Sequence, residues 1–535
     1  MAELSTDTIR TLMNTYCQDL TVEQKKTVRT VLRGKNVFIS GGAGTGKSYV
    51  LTAMIEALKG AGKNVVVCAP TGVAALNIGG VTLHKVFNLK AEICINQNGK
   101  LITHAPKVIH SADVVIIDEI SMVRMDLFDS VISGIKKAEQ KTGKKIQVVV
   151  CGDFFQLAPV IQSNSKDREI LEKYYGRDVG LAFAFQSNEW ANCHFTSFTL
   201  TRSFRQDNNS EFLDNLNKIR TGDVSAISYF NSHANPYTIK NAPHLAFSNI
   251  NVNRINAECL QKIPGETITL KAEYLGDASP GTDIPDEIVI KKGARVILTI
   301  NDRSGHPDVC SLKYQCGLIK KEDPEPFFQN GTVAQISEYY GEDNLCLNID
   351  EKPQILLHRH TYPVYAYKVN SSGKIEREQI GAIKQYPVQL GYAITIHKAQ
   401  GQTYSAINLD PSTYDRAVSG LIYVALSRIR SIEGLHLSRN LHADDIYVHQ
   451  DVLDFYQGKF NRQKGRPRKY MDSKVVSVPV ELKKHIVHEI EMNAPLPMNN
   501  VSMKKSGKRA KIRVPTNLLE YVKTEMREWR KNVSK

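Results

Sequence analysis

The 535-residue chain contains no run of about 18 apolar residues, so no membrane-spanning helix is expected. Residues 1–20 alternate polar and apolar types and lack the apolar core of a secretory signal. The nine cysteines are an odd number, and none forms a CxxC pair. They read as reduced thiols of an intracellular compartment, not as a disulfide or zinc framework. Cys310 and Cys316 lie nearest to each other and have no matching second pair, so zinc is not expected. Acidic residues are scarce in one region. Residues 461–535 hold 19 Lys+Arg against 7 Asp+Glu, a net +12, whereas the rest of the chain is +2. Such a tail suits a polyanionic partner, most often nucleic acid; the plainer reading is a solubilising tail.

What is present is globular. Apolar content of 42% and charged content of 23% exclude a mainly disordered or fibrous chain. The length suits roughly three or four compact units. Buried-type runs at Asn36–Ser40, Asn64–Ala69, Asp113–Asp118 and Gln147–Cys151 are separated by helical patterns, which predicts an α/β unit with a parallel sheet. Runs at Leu245–Phe247, Arg295–Thr299, Tyr392–Ile396 and Ala406–Leu409 repeat the style. Between about 290 and 385, Gly, Asp and Pro punctuate short β-like runs, as in an inserted β-domain. A linker is expected at Gly458–Lys469. The expected divisions are 1–200, 201–460 and a basic region 461–535.

Gly41-Gly42-Ala43-Gly44-Thr45-Gly46-Lys47-Ser48 matches GxxxxGK(S/T) between a strand (Val37–Ile39) and a helix opening at Tyr49. Its glycines let backbone N–H groups converge on phosphate oxygens at a helix N-terminus. Lys47 is expected to reach the β/γ-phosphates and Ser48 to bind Mg²⁺, so the cofactors expected are ATP and Mg²⁺. The run Val114–Ile117 ends in Asp118-Glu119, 71 residues after Lys47. Asp118 is expected to hold Mg²⁺ and Glu119 to polarise the attacking water. Arg205 and Arg428 are candidates for stabilising charge on the γ-phosphate.

The order of these motifs resembles the PIF family of superfamily 1 DNA helicases, over about residues 15–440. Gln24 looks like the family's adenine-reading glutamine. Ala69–Ala75, with Thr71 and Gly72, looks like its single-strand-contacting motif Ia, and His84 lies where the family touches DNA. Met125–Asp129 partly matches its signature helix, but Val131–Gly134 departs from that pattern. Gly152–Pro159 looks like motif III, with Gln156 as the γ-phosphate sensor. Thr395–Thr403 looks like motif V; there the resemblance makes His397 and Lys398 DNA contacts and Gly401 a nucleotide contact. Tyr423–Arg428 looks like motif VI. The resemblance implies two RecA-like domains with ATP between them, a wedge near 85–110, a β-rich insertion in the second domain, and 5′-to-3′ movement. It also implies partners, single-stranded and forked duplex DNA, and work in replication, repair, recombination or telomere maintenance. A monomer is expected, placed in the nucleus or, for a large DNA virus, at a cytoplasmic replication site. An extra polar stretch near Asp302–Glu325 departs from the family.

The tail carries Lys464-Gly465-Arg466-Pro467-Arg468-Lys469, similar to an AT-hook that lies in an AT-rich minor groove. A nuclear-import signal and a plain basic linker are equally open. Val478-Pro479, Leu482, Ile486 and Ile490 recur 36 residues later as Val514-Pro515, Leu518, Val522 and Met526. Each copy reads as a short strand with Pro at a helix start; ribbon-helix-helix DNA binders have a related pattern, though each copy lacks a clear second helix. The competing functions are a RecD-like or phage-type 5′-to-3′ helicase, a DNA-tethering protein with a vestigial ATPase, and a rolling-circle nicking protein. Intact Lys47, Glu119 and Arg428 speak against the second, and the lack of room for a nicking domain against the third.

Overall fold

Short apolar stretches become the central strands of one parallel sheet: β1 (Val37–Gly41), β2 (Val65–Ala69), β3 (Val81–Thr82), β4 (Val114–Ile117), β5 (Gln147–Cys151) and β6 (Thr196–Leu200). The sheet runs in the order β3-β2-β4-β5-β1-β6 with every pairing parallel. Strands β1, β2, β4 and β5 are buried along their whole length, as expected for parallel strands covered on both faces. Helices Thr6–Tyr16, Val22–Leu32 and Lys47–Gly60 supply Leu12, Val28, Leu51 and Met54 to the core on one face. The order places β1, β5 and β4 side by side, so the loops leaving their C-terminal ends share one edge, where open α/β sheets build their sites. The structure is a computed structural model and describes residues 4–161, 166–204, 210–280, 284–301, 309–311, 328, 330–341, 344–349, 354–413, 418–460, 473–479 and 509–515.

The second half starts with β7 (His244–Ala246) and then departs into antiparallel structure. Here lie β8 (Ile268–Lys271), β9 (Glu273–Gly276), β10 (Glu287–Ile290), β11 (Arg295–Leu298), β12 (Val309–Ser311), β13 (Val333–Tyr339), β14 (Leu345–Asn348), β15 (Ile355–Leu357), β16 (His360–Val369), β17 (Ile375–Gln385) and β18 (Val388–Leu390). They form a β12-β15-β14-β13-β11-β18 sheet, a β16-β17-β9 sheet and a β10-β8 pair. The chain then returns through β19 (Ala393–Thr395), β20 (Ile407–Leu409) and β21 (Leu435–Leu437), which join β7 in a parallel β19-β7-β20-β21 sheet.

Two expectations are corrected. The inserted β structure spans 268–390 rather than about 290–385, because β8 and β9 pair with β10 and β17 across the expected boundary. The run at Arg295–Thr299 is β11 of the antiparallel insertion, not part of the parallel sheet. The expected wedge holds a bridge between Ile95 and Leu101 and a short helix, Lys107–Ser111. The signature segment opens the helix Met125–Thr142, and its atypical Gly134 has a physical reason: a Cβ there would collide with the His104 carbonyl oxygen. Most of the Asp302–Glu325 stretch lies outside the described residues.

The chain separates into two compact units. One comprises residues 1–96, 101–159 and 183–448, and so contains both parallel sheets and the insertion. The other comprises 97–100, 160–182 and 449–535, starting earlier than the expected 461. It contains helices Lys166–Tyr175 and Gln450–Tyr456 and an antiparallel pair, β22 (Ser473–Pro479) with β23 (Arg509–Pro515). The AT-hook-like segment Lys464–Lys469 and the helical parts of the 36-residue repeat lie outside the described residues.

Candidate active site

The chain leaves β1 at Gly41 and turns through Gly44 and Gly46, both left-handed at φ +77°, into the helix Lys47–Gly60. A side chain is excluded from the turn. A Cβ at Gly41 would lie 2.6 Å from Thr45 Oγ1, and one at Gly46 would lie 3.0 Å from Gln24 Nε2. Gly46 caps the helix without a side-chain acceptor, so the first-turn N–H groups remain for an anion. Lys47 Nζ donates to the carbonyl oxygens of Gly41 (2.9 Å) and Gly42 (3.0 Å), which folds it over the loop. Gln24 is buried at the start of the helix Val22–Leu32. Its Oε1 accepts from Thr21 N at 3.0 Å in a reciprocal capping box, leaving its amide nitrogen toward Gly46.

Asp118 and Glu119 follow β4. Glu119 takes a left-handed φ of +49°, a conformation that costs energy for a non-glycine residue and recurs at functional sites. Its N–H donates to Asp118 Oδ1 at 2.9 Å. Burial, and then the Glu119 carboxylate, push the Asp118 carboxyl up from its ordinary value, against the pull of the Glu119 N–H and Lys47. Gly152, after β5, packs against the same turn; a Cβ there would lie 2.9 Å from Ile120 N.

Gln156 is buried beside this turn. Its Oε1 accepts from Gln400 Nε2 at 3.1 Å, and the same nitrogen lies 3.3 Å from Glu119 Oε2. Gln400 follows the short helix Ile396–Ala399 of the second half, so one amide joins the two carboxyl-side loops of the first sheet to the second. Sequence reasoning placed Gln400 inside motif V but gave it no role. Its signal was a polar residue directly before the left-handed Gly401 (φ +81°).

A second bridge was also missed. Asp153, fully buried, receives Arg220 Nε at 3.0 Å and Arg220 Nη2 at 2.8 Å, and the guanidinium lies 4.4 Å from the Phe155 ring centroid. Tyr423 lies beside the pair. Its hydroxyl donates to Asp153 Oδ2 at 3.5 Å and accepts from Ala43 N of the glycine loop at 2.8 Å. Burial pushes the Tyr423 phenol far up, so it stays protonated.

The two halves enclose a cleft of about 610 Å³ lined by Ala43–Tyr49, Glu119, Gln156, Phe204, Gly401, Thr403, Arg428 and Arg430. Arg428 is almost wholly buried. Its Nε donates to Val424 O (2.8 Å), Nη1 to Ala399 O (3.2 Å) and Gln402 O (3.3 Å), and Nη2 to Ser427 Oγ (2.6 Å). It therefore also ties the motif V loop to the helix Leu421–Leu426. Arg205 lies outside the described residues, although its neighbour Phe204 donates its N–H to Gly44 O at 2.8 Å. The oxygen donors Ser48 and Asp118 are hard ligands that suit Mg²⁺.

The expected DNA contacts come from both halves. Thr71 caps the helix Gly72–Asn77 by accepting from Ala74 N at 3.2 Å. His84 sits half-buried in the helix Leu83–Val86; burial and Arg124 push its imidazole down, toward the neutral form. In the second half, the His397 ring leans on Phe247 with centroids 6.3 Å apart, and burial lowers its basicity too. Lys398 is exposed beside it.

Comparison with known proteins adds identity to this geometry. A model of the PIF1-like helicase family matches residues 19–228. The ATP-dependent DNA helicase Pif1 of Psychrobacter sp. is 30% identical over 468 residues, covering 78% of this chain and 68% of that protein. The structure is similar to a Bacteroides sp. Pif1 in complex with ADP-AlF4, with a TM-score of 0.67 and 29% identity over 82% of this chain and 96% of that one. A Bacteroides Pif1 bound to single-stranded DNA matches with a TM-score of 0.55 and 28% identity, over 82% of this chain and 96% of that one.

Proposed function

The chain belongs to the PIF1-like helicase family and is an ATP-dependent DNA helicase; from that premise we propose that it moves 5′ to 3′ on single-stranded DNA and separates the duplex at a fork. The observation that carries the coupling is the Gln400 amide, which touches Glu119 and Gln156 of the first half from the second. A shift of one sheet against the other alters both contacts, so closure and hydrolysis are linked through them.

In the proposed chemistry, the N–H groups of Gly44–Ser48 and the Lys47 ammonium hold the phosphates, with Gly41, Gly42 and Ala43 shaping the loop. Gln24 presents its amide to the adenine. Ser48 and Asp118 would hold Mg²⁺, which neutralises charge on the phosphate oxygens when bound. Glu119 takes a proton from the attacking water, and Gln156 senses the γ-phosphate. Arg428 and Arg205 supply positive charge as it transfers, and Gly401 lets the backbone approach it. Thr71, Gly72, His84, His397 and Lys398 are the proposed strand contacts; neutral imidazoles there hydrogen-bond to DNA without adding charge. A monomer suffices, since one chain supplies every group. The proposed setting is DNA replication, repair, recombination or telomere maintenance, in a nucleus or at a viral replication site in the cytoplasm.

Unwinding of duplexes with a 5′ or a 3′ single-stranded tail tests this directly. ATP-dependent unwinding of the 5′-tailed duplex alone is expected. Preference for the 3′ tail would reverse the proposed direction.

A further inference from the structure

Gly42 stands at a position that the GxxxxGK(S/T) spacing leaves open, and its backbone is not left-handed. Backbone conformation therefore does not require glycine there. The reason lies across the cleft. A Cβ at Gly42 would sit 3.2 Å from the Tyr423 hydroxyl and 3.8 Å from Arg220 Cδ. Two side chains of the second half, one on the helix Leu421–Leu426 and one at the end of the helix Ser210–Arg220, close over this stretch of the loop.

Tyr423 is buried and held from both sides. Its helix starts at Gly420, left-handed at φ +75°, and a Cβ there would collide with the Phe155 carbonyl oxygen, so the helix meets the first half with no room to spare. Arg220 fixes the Asp153 carboxylate, and Asp153 Oδ2 accepts the hydroxyl proton at 3.5 Å. The hydroxyl oxygen is then left to accept from the Ala43 N–H at 2.8 Å. That N–H lies on the peptide plane between Gly42 and Ala43. Gly42 is permissive, so the hydroxyl supplies a restraint that the backbone lacks. Only Ala43 φ and ψ separate this plane from the next, which carries the Gly44 N–H.

We infer that Tyr423 is a positioning residue of the nucleotide site: from the second half it fixes the Gly42–Ala43 peptide and so sets the loop in the shape that receives phosphates. This rests on the reading of Gly41–Ser48 as the phosphate cradle. The hydroxyl and the loop belong to opposite halves. Closure therefore completes the cradle and opening relaxes it, which ties retention of nucleotide to the contact between the halves.

The test is nucleotide titration and steady-state ATPase of the full chain at saturating single-stranded DNA. Y423F keeps the ring and removes the hydroxyl. For the loss of one hydrogen bond, KM for ATP and Kd for ADP should rise about three- to tenfold, and ADP should leave faster by a similar factor. Binding lost equally from ground and transition states leaves turnover alone, so kcat at saturating ATP should fall by no more than about twofold. A merely structural tyrosine would instead lower kcat through a smaller folded fraction and leave KM where it was. G42A approaches the same contact from the other side. It should raise KM in the otherwise wild-type chain, where the methyl meets the hydroxyl, and add little to Y423F, where the hydroxyl is gone. K47A, titrated alongside, reports on the cradle itself. Retained affinity in Y423F with affinity lost in K47A overturns the role of Tyr423 alone. Retained affinity in both overturns the cradle reading and this inference with it. A fall in kcat with KM unchanged, or fully additive losses in G42A and Y423F, would also overturn it.

Discussion

Replacing Arg220 with Met should destabilise the helicase unit more than its partly surface position suggests. The Asp153 carboxylate is fully buried and loses its two guanidinium donors, at 3.0 and 2.8 Å. What remains is the Phe155 N–H at 3.2 Å and the Tyr423 hydroxyl at 3.5 Å. Breaking a buried ion pair from one side typically costs about 3–5 kcal/mol, because the other charge stays buried and uncompensated. The Arg220 side chain is 13% exposed, so the lower end, about 3 kcal/mol, applies. Removing both charges in R220M/D153N leaves no uncompensated buried charge and should cost clearly less than the two single losses together. The single changes should therefore be strongly non-additive. Urea unfolding of the four proteins measures this, with KM for ATP as a second readout, since Tyr423 connects the pair to the Ala43 N–H. If the two single losses add up to the double within about 0.5 kcal/mol, Arg220 and Asp153 do not act as a unit and the bridge carries no coupling.

Lys47→Ala should abolish ATP hydrolysis and weaken ATP binding, read by steady-state ATPase and nucleotide titration, if its ammonium holds the phosphates as proposed. Gln400→Ala removes two hydrogen bonds worth roughly 1 kcal/mol each; DNA-stimulated kcat should drop about tenfold or more while basal turnover and KM for ATP change little. The Asp118 carboxyl, raised by burial and by Glu119, keeps its proton to higher pH than an ordinary carboxyl. If Asp118 holds Mg²⁺ as proposed, the ion must displace that proton, so Mg²⁺ affinity should climb from pH 6 toward pH 8 and level off above the raised value. In Asp118→Asn the climb should vanish, and a flat wild-type profile would contradict the assignment.

The conformation of the glycine loop was legible because its signals are local. The glycine spacing, the strand before it and the helix after it occupy about a dozen consecutive residues, and the left-handed Gly44 and Gly46 follow from that spacing. The core strands announced themselves as short apolar runs. Strands β8 and β9 did not, since edge strands with mostly exposed residues carry no such signature and form only when β10 and β17 accept them. The bridges Gln400–Glu119, Arg220–Asp153 and Tyr423–Ala43 connect residues 281, 67 and 380 positions apart. Distances of that kind are set by how two sheets meet, and no periodicity or motif encodes them. The 36-residue repeat was visible as spacing, but pairing about its own centre appeared only with the register of β22 and β23.

The central claim is that Glu119 activates water in a cleft whose two halves hold it through Gln400. Glu119→Gln keeps the shape of the side chain and leaves Asp118 and Ser48 in place while removing the base. ATP binding and DNA-stimulated hydrolysis of this variant, measured side by side with the wild type, decide the matter. Affinity for ATP within a few-fold of wild type, with DNA-stimulated turnover lower by about 10²–10⁴, is the predicted result. Near-normal DNA-stimulated turnover would contradict it.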